Sequence, residues 1–147
     1  MKKQLIYGCF GSIFTGSLIY ILFRSNTLKM FDWFNQIGFI NLIEVFREYI
    51  FKFSYLIPDW ILFSLPDGLW LFSYVSTILY IWNNDITKNS LLWIFIVPTI
   101  AILSEICQAM KILPGTFDLN DLLFYLLGIY TPFILYKSNI NFKIYPS

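Results

Sequence analysis

Between Leu91 and Met110 lies a run of 20 residues with one charge in it, Glu105. A helix of that length is about 30 Å long, the thickness of a bilayer's hydrocarbon core. Residues 4–23, 67–83 and 121–136 have the same apolar character. Such runs, repeated along a chain of 147 residues, leave little polar surface with which to meet water. In lipid each backbone N–H and C=O must be satisfied within the protein, which a helix does by itself. The pattern therefore predicts an all-α polytopic membrane protein with four transmembrane helices. With 58% hydrophobic and 13% charged residues, the composition lies outside the soluble range. Four spans and their connections use up the length, so residues 1–147 form a single membrane domain.

The first run, after Lys2 and Lys3, is longer than a signal-peptide core, and no small-x-small site follows Phe23, so it reads as a retained span. Gly8, Gly11, Gly16 and Ser17 give it small positions where another helix packs closely. From residue 28 to 66 the pattern becomes mixed, with aromatic and aliphatic residues at helical spacing. This predicts an amphipathic, interfacial helical segment between the first and second spans, divided at Gly38. Within it Asn41 and Glu44 have the spacing of a helix cap, and Glu48 with Lys52 that of an ion pair. Pro58 and Pro66 interrupt the stretch leading to the second span, and Asp59 and Asp67 stand just after them, where a carboxylate suits the first turn of a helix. Pro98 falls inside the third span, where its freed carbonyl needs a donor from Thr99 or a neighbouring helix. The tail from Lys137 to Ser147 is polar enough to lie outside the bilayer.

With both termini on one face, five of the ten Lys and Arg residues fall on each side, but eight of the nine acidic residues lie opposite the termini. Lys2 and Lys3 flank the first span closely and set the termini in the cytoplasm. The acidic residues then face outward. No basic cluster or face supports nucleic-acid binding. The absence of histidine, with two cysteines placed at opposite ends of the membrane, argues against zinc and against a disulfide.

The chemistry gathers between Ser104 and Gly128. Glu105 lies about five residues inside its span, or about 7 Å below the end. A carboxyl there must face the bundle interior and find a partner. Gln108, at i+3, shares its face and is placed to donate a hydrogen bond. Pro114-Gly115 reverses the chain and returns Asp118 and Asp121 to the depth of Gln108. Asp118 also suits the N-cap of the fourth helix, and Asp121 its first turn. Capping would account for those two, but not for Glu105. Asp67, at the start of the second span, joins the same end. Converging carboxylates repel unless a proton, a cation or a cationic ligand group intervenes. Thr116, Tyr74 and Tyr125 are candidate neutral partners.

Glu105-x-x-Gln108, followed by Gly115, Phe117, Asp118 and Asp121 and then Gly128, resembles the VanZ-like family of small bacterial membrane proteins. The likeness extends in part to Asp67 and Tyr74, with Gly68 where members often carry lysine, and without their histidine. It implies a four-helix protein of the cell envelope, in the bacterial inner (cytoplasmic) membrane. Two functions stay open. In one, Glu105, Gln108, Asp118, Asp121 and Asp67 bind an envelope lipid or other small ligand, with no cofactor beyond a divalent cation at the acidic cluster. In the other, the chain is a structural or accessory subunit of a larger membrane protein complex, docking through residues 30–53. No serine, cysteine or histidine arrangement supports a nucleophile with its base.

Overall fold

A computed structural model describes residues 2–143, without the side chains of Lys2, Lys3, Gln4 and Asn139. The end of the tail, residues 144–147, lies outside the described residues. Among those described, seven α-helices run in order: α1 (Lys2–Phe23), α2 (Lys29–Gln36), α3 (Ile40–Phe51), α4 (Asp59–Phe63), α5 (Leu65–Ile81), α6 (Lys88–Ala109) and α7 (Leu119–Leu135). The protein is therefore mostly helical. Two of these helices, α1 over Leu5–Phe23 and all of α6, are long and apolar enough to cross a membrane. At 17 residues each, α5 and α7 are at the short limit for a span.

The central helix of the bundle is α5, which packs against α1, α4, α6 and α7. Its buried residues explain why it can. Gly68, Ser73 and Ser76 are small, and Leu71, Val75, Ile78 and Leu79 fill the gaps between neighbours. The closest approach is to α7, where a Cβ on Gly68 would lie 2.7 Å from the Phe124 carbonyl oxygen, and one on Gly128 would overlap the Gly68 carbonyl. Gly16 of α1 fits similarly against Pro66 and Trp70. Gly11, by contrast, faces open space. Cys9 ties α1 to α5 by hydrogen bonds with Ser73 at 3.1 Å and Thr77 at 2.8 Å. Both thiols, Cys9 and Cys107, are free.

At the opposite end from Glu105, Leu5, Val75, Leu79, Ile86, Ile94 and Tyr136 form one buried cluster. Asn83 and Asn84 turn the chain there with φ of 51° and 64°, a region asparagine tolerates better than most residues. Thr87 and Ser90 then start α6 with a reciprocal capping box. A two-residue strand β1 (Asp85–Ile86) pairs in parallel with β2 (Asn141–Phe142). Lys143 holds the pair through a 2.7 Å ion pair to Asp85. That hydrogen bond keeps the Asp85 carboxyl below the usual carboxylate range.

α6 runs unbroken through Pro98. A neighbouring helix does supply a donor near the proline: the Tyr74 hydroxyl of α5 donates to the Trp93 carbonyl. Its acceptor is one residue before Ile94, the residue four back from the proline. The segment between α1 and α5 departs from expectation in two details. Gly38, with φ of 78°, lets α3 begin at Ile40 without a side-chain cap, which leaves Asn41 inside the first turn. Lys52 lies 5.7 Å over the Tyr49 ring, and among the described residues no ion pair joins it to Glu48. Both charges of that pair are exposed, where an ion pair contributes little.

Candidate functional site

The close crossing of α5 and α7 fixes the site. Gly68 meets the backbone of Phe124, and their neighbours Asp67 and Asp121 sit in the first turns of the two helices. Free amides at a helix start favour a carboxylate there. α6 contributes Glu105 from the other side, 4% exposed. Its Oε2 accepts the backbone N–H of Asp118 at 3.4 Å. Asp118 is the N-cap of α7, with its own Oδ1 accepting from the Asn120 N–H at 2.8 Å. Glu105 thus receives an N–H from the residue that caps the adjoining helix, and this links the end of α6 to the start of α7.

Asp67 stands over a cavity of about 210 Å³ between α5, α6 and α7, walled by Trp70, Leu71, Tyr74, Val97, Ala101 and Tyr125. It is close enough to Asp121, Arg24 and Glu105 to interact with all three electrostatically, and Tyr125 feels the same four charges. Asp121 presents an Oδ1 atom that is shielded from solvent and has no hydrogen-bond partner among the described residues. The structure therefore brings Asp67, Glu105, Asp118 and Asp121 to one end of the bundle.

Gln108 behaves differently from its expected role. Among the described residues it makes no hydrogen bond to Glu105. It packs on the turn instead, so close that a Cβ on Gly115 would be 2.8 Å from its Cδ. Gly115 has φ of 135°, and this turn is what folds the loop onto the glutamine. Thr116 is exposed at the loop surface.

Arg24 is the residue that the sequence pattern did not assign to the site. It lies directly after α1, donates from Nη2 to the Phe63 carbonyl at 3.2 Å, and lies over the Tyr20 and Phe63 rings at 5.1 and 5.3 Å. Its Nε is shielded and has no partner among the described residues. Arg47 from α3 braces the same end of α1, donating to the carbonyls of Ile21 and, at 2.6 Å, Arg24. The available signal was an arginine just past an apolar run, but that spacing says nothing about which helix lies beside it.

Among the described residues, no group of three His, Cys, Asp or Glu side chains is placed to hold a metal ion. The carboxyls are grouped closely enough to share a field but are spread across the ends of three helices. An ammonium group suits such a spread, since it brings three donors of its own and needs no tight ligand shell. In comparisons with known proteins, no family model, no curated protein and no solved structure matches the chain.

Proposed function

We propose that this chain is a VanZ-like integral protein of the bacterial inner membrane, crossing it four times with both termini cytoplasmic. Its outward-facing acidic cavity holds the ammonium group of an envelope lipid or another small amine-bearing ligand, and binds it without catalysing a reaction. The membrane reading is supported by where the apolar side chains point. Only 11% of the apolar window of α1 and 22% of that of α6 is buried, with Phe10, Phe14, Ile96, Ile100 and Leu103 facing outward. A core helix of a soluble domain would bury these residues. α4 precedes α5 almost directly and lengthens that short span at its outer end.

One observation carries the ligand reading: Asp67 faces a cavity, and Asp121, which interacts with it electrostatically, has a shielded oxygen without a hydrogen-bond partner among the described residues. A shielded carboxylate oxygen with nothing donating to it is costly, and a bound N–H donor removes the cost. The test is ligand-induced thermal stabilisation of the purified full chain with ethanolamine against glycerol. Ethanolamine should stabilise the wild type and not Asp121→Asn, with both proteins accumulating equally in the membrane. Equal effects of the two compounds on the wild type would refute the reading. Thiol labelling of Asn84→Cys and Thr116→Cys tests orientation: labelling of Asn84→Cys alone from outside the cell would reverse it.

A second reading, as a subunit of a larger membrane complex, is favoured by α3, which buries none of its side chains and exposes Phe46 and Tyr49. Purification in mild detergent should then retain a stoichiometric partner that is lost with Phe46→Ser/Tyr49→Ser. Recovery of the chain by itself would reject this reading.

A further inference from the structure

Pro98 divides α6 into two halves that the bundle holds differently. Before it, Ser90, Ile94 and Pro98 itself are fully buried and recur every four residues, so one stripe of the helix is pressed into the bundle. Hydrogen bonds fix this half as well: the Ser90 hydroxyl donates to the Asp85 carbonyl at 3.1 Å, and the Tyr74 hydroxyl donates to the Trp93 carbonyl. Beyond Pro98 the next buried residue is Glu105, seven positions on. Thr99, Ile100 and Leu103 are exposed in between. Ala101 borders the Asp67 cavity of about 210 Å³, where a packed side chain would otherwise hold the helix.

Among the described residues, one hydrogen bond joins the outer half of α6 to the start of α7. It is the Asp118 N–H donating to Glu105 Oε2, and at 3.4 Å it is longer than the usual bond of about 3.0 Å. The junction between the halves is soft for a chemical reason. Pro98 has no N–H, so the Ile94 carbonyl lacks its helical donor, and sharp kinks in helices fall at such positions.

We infer that the outer half of α6, residues 99–109, is a swinging wall of the Asp67 cavity, hinged at Pro98 and latched closed by the Glu105 carboxylate on the Asp118 N–H. Val97 and Ala101 border the cavity from either side of the hinge, so bending there widens the cavity between α6 and α5. About 16 Å of helix separates Pro98 from Ala109, and a change in kink of about 20° moves that end by roughly 6 Å. The motion itself needs no ligand; its use, admitting one to Asp67, rests on the proposed reading of the cavity.

The test measures spin-label distances by pulsed electron paramagnetic resonance on the full chain, with Cys9→Ser and Cys107→Ser as background. Leu18→Cys with Leu103→Cys reports the outer half of α6 against α1, and Tyr7→Cys with Phe95→Cys reports the inner half; all four positions are exposed. Glu105→Ala should add to the outer pair a population longer by about 4–6 Å and leave the inner pair unchanged. Glu105→Gln keeps an acceptor for the Asp118 N–H and should match the wild type. Pro98→Ala restores the missing N–H, and adding it to Glu105→Ala should remove most of the long population. An outer pair unmoved by Glu105→Ala, or moved as far by Glu105→Gln, would overturn the latch. Inner and outer pairs lengthening alike, or a long population untouched by Pro98→Ala, would overturn the hinge. The ethanolamine measurement reads the cavity separately, so its failure would remove the ligand and leave the motion standing.

Discussion

Replacing a glycine by alanine should destabilise the protein at one position and not at another. At Gly128 the new methyl would overlap the Gly68 carbonyl oxygen and approach the Gly68 carbonyl carbon and the Leu71 Cβ at 3.1 Å each. Two of these three obstacles are backbone, so α5 and α7 must separate. Overpacking costs typically 1–3 kcal/mol, and a backbone obstacle belongs near the upper figure, about 3 kcal/mol. Alanine recovers about 1 kcal/mol through helix propensity. The net expectation for Gly128→Ala is destabilisation by about 2 kcal/mol. At Gly11 nothing beyond its chain neighbours and the backbone of its own helix lies within 4 Å of the position a methyl would take. Only the propensity term remains, so Gly11→Ala should be neutral or stabilised by up to about 1 kcal/mol. Thermal unfolding in detergent, monitored with a thiol-reactive dye as Cys9 and Cys107 become accessible, compares the two variants directly. A loss of about 2 kcal/mol lowers the midpoint by about 4–8 °C in a chain of this size. Gly68→Ala acts at the same crossing, so combining it with Gly128→Ala should cost less than the sum of the two. If Gly128→Ala melts within about 0.5 kcal/mol of Gly11→Ala, the helices do not cross as described and the placement of Asp67 beside Asp121 fails with it.

Three further outcomes are expected of the same structure. Asp118→Ala removes the N-cap of α7 and should cost about 1 kcal/mol, whereas Asp118→Asn keeps an acceptor and should cost less than half of that; equal losses would remove the capping role. Arg47→Ala strips two carbonyls at the end of α1 of their donor and should destabilise by about 1.5–3 kcal/mol, and Arg47→Lys, which cannot reach both, should restore only part; full restoration in thermal unfolding would argue against the two-carbonyl brace. Asp85 has a depressed folded-state value, so its pairing stabilises above the unfolded carboxylate value of about 3.9 and is lost as pH falls through the folded value. The difference in melting temperature between wild type and Lys143→Met should therefore be present at pH 6 and shrink steadily below about pH 4, and a difference that persists at pH 2 would show that the ion pair is not its source.

Local rules account for what could be read from the residues alone. Apolar runs located α1, α5, α6 and α7 because a helix long enough to span, or nearly so, is a local property of composition and length. Asp118 as a cap and Gly115 in the turn were legible for the same reason: each depends on neighbours within a few positions. Asn41 shows the limit of such rules, since Gly38 with its positive φ allowed α3 to start before the capping residue. Gln108 shows another, because sharing a helix face with Glu105 did not decide which partner it meets. Arg24 depends on how α1 lies against α5, and that pairing carries no local mark. The β1–β2 pairing was hidden too, as two-residue strands that meet across 56 positions leave no periodic trace. Asp67 and Asp121 were legible as carboxylates in the first turns of their helices, while their approach to each other depends on the Gly68–Gly128 crossing.

The central place of α5 has a consequence for the order in which this protein is made. Under the four-span reading, α1 leaves the ribosome some 40 residues before its main partner begins at Leu65, and it must wait in the bilayer alone. It is fitted for that wait, with a predominantly apolar stretch of 19 residues and few side chains that need another helix. α5 is the reverse case, a short helix that buries Ser73 and Ser76 and depends on neighbours for its length and its packing. It emerges when α1 is already in place, and α6 and α7 close over it afterwards. The helix that tolerates solitude is translated first, and the one that does not arrives to a surface already waiting for it.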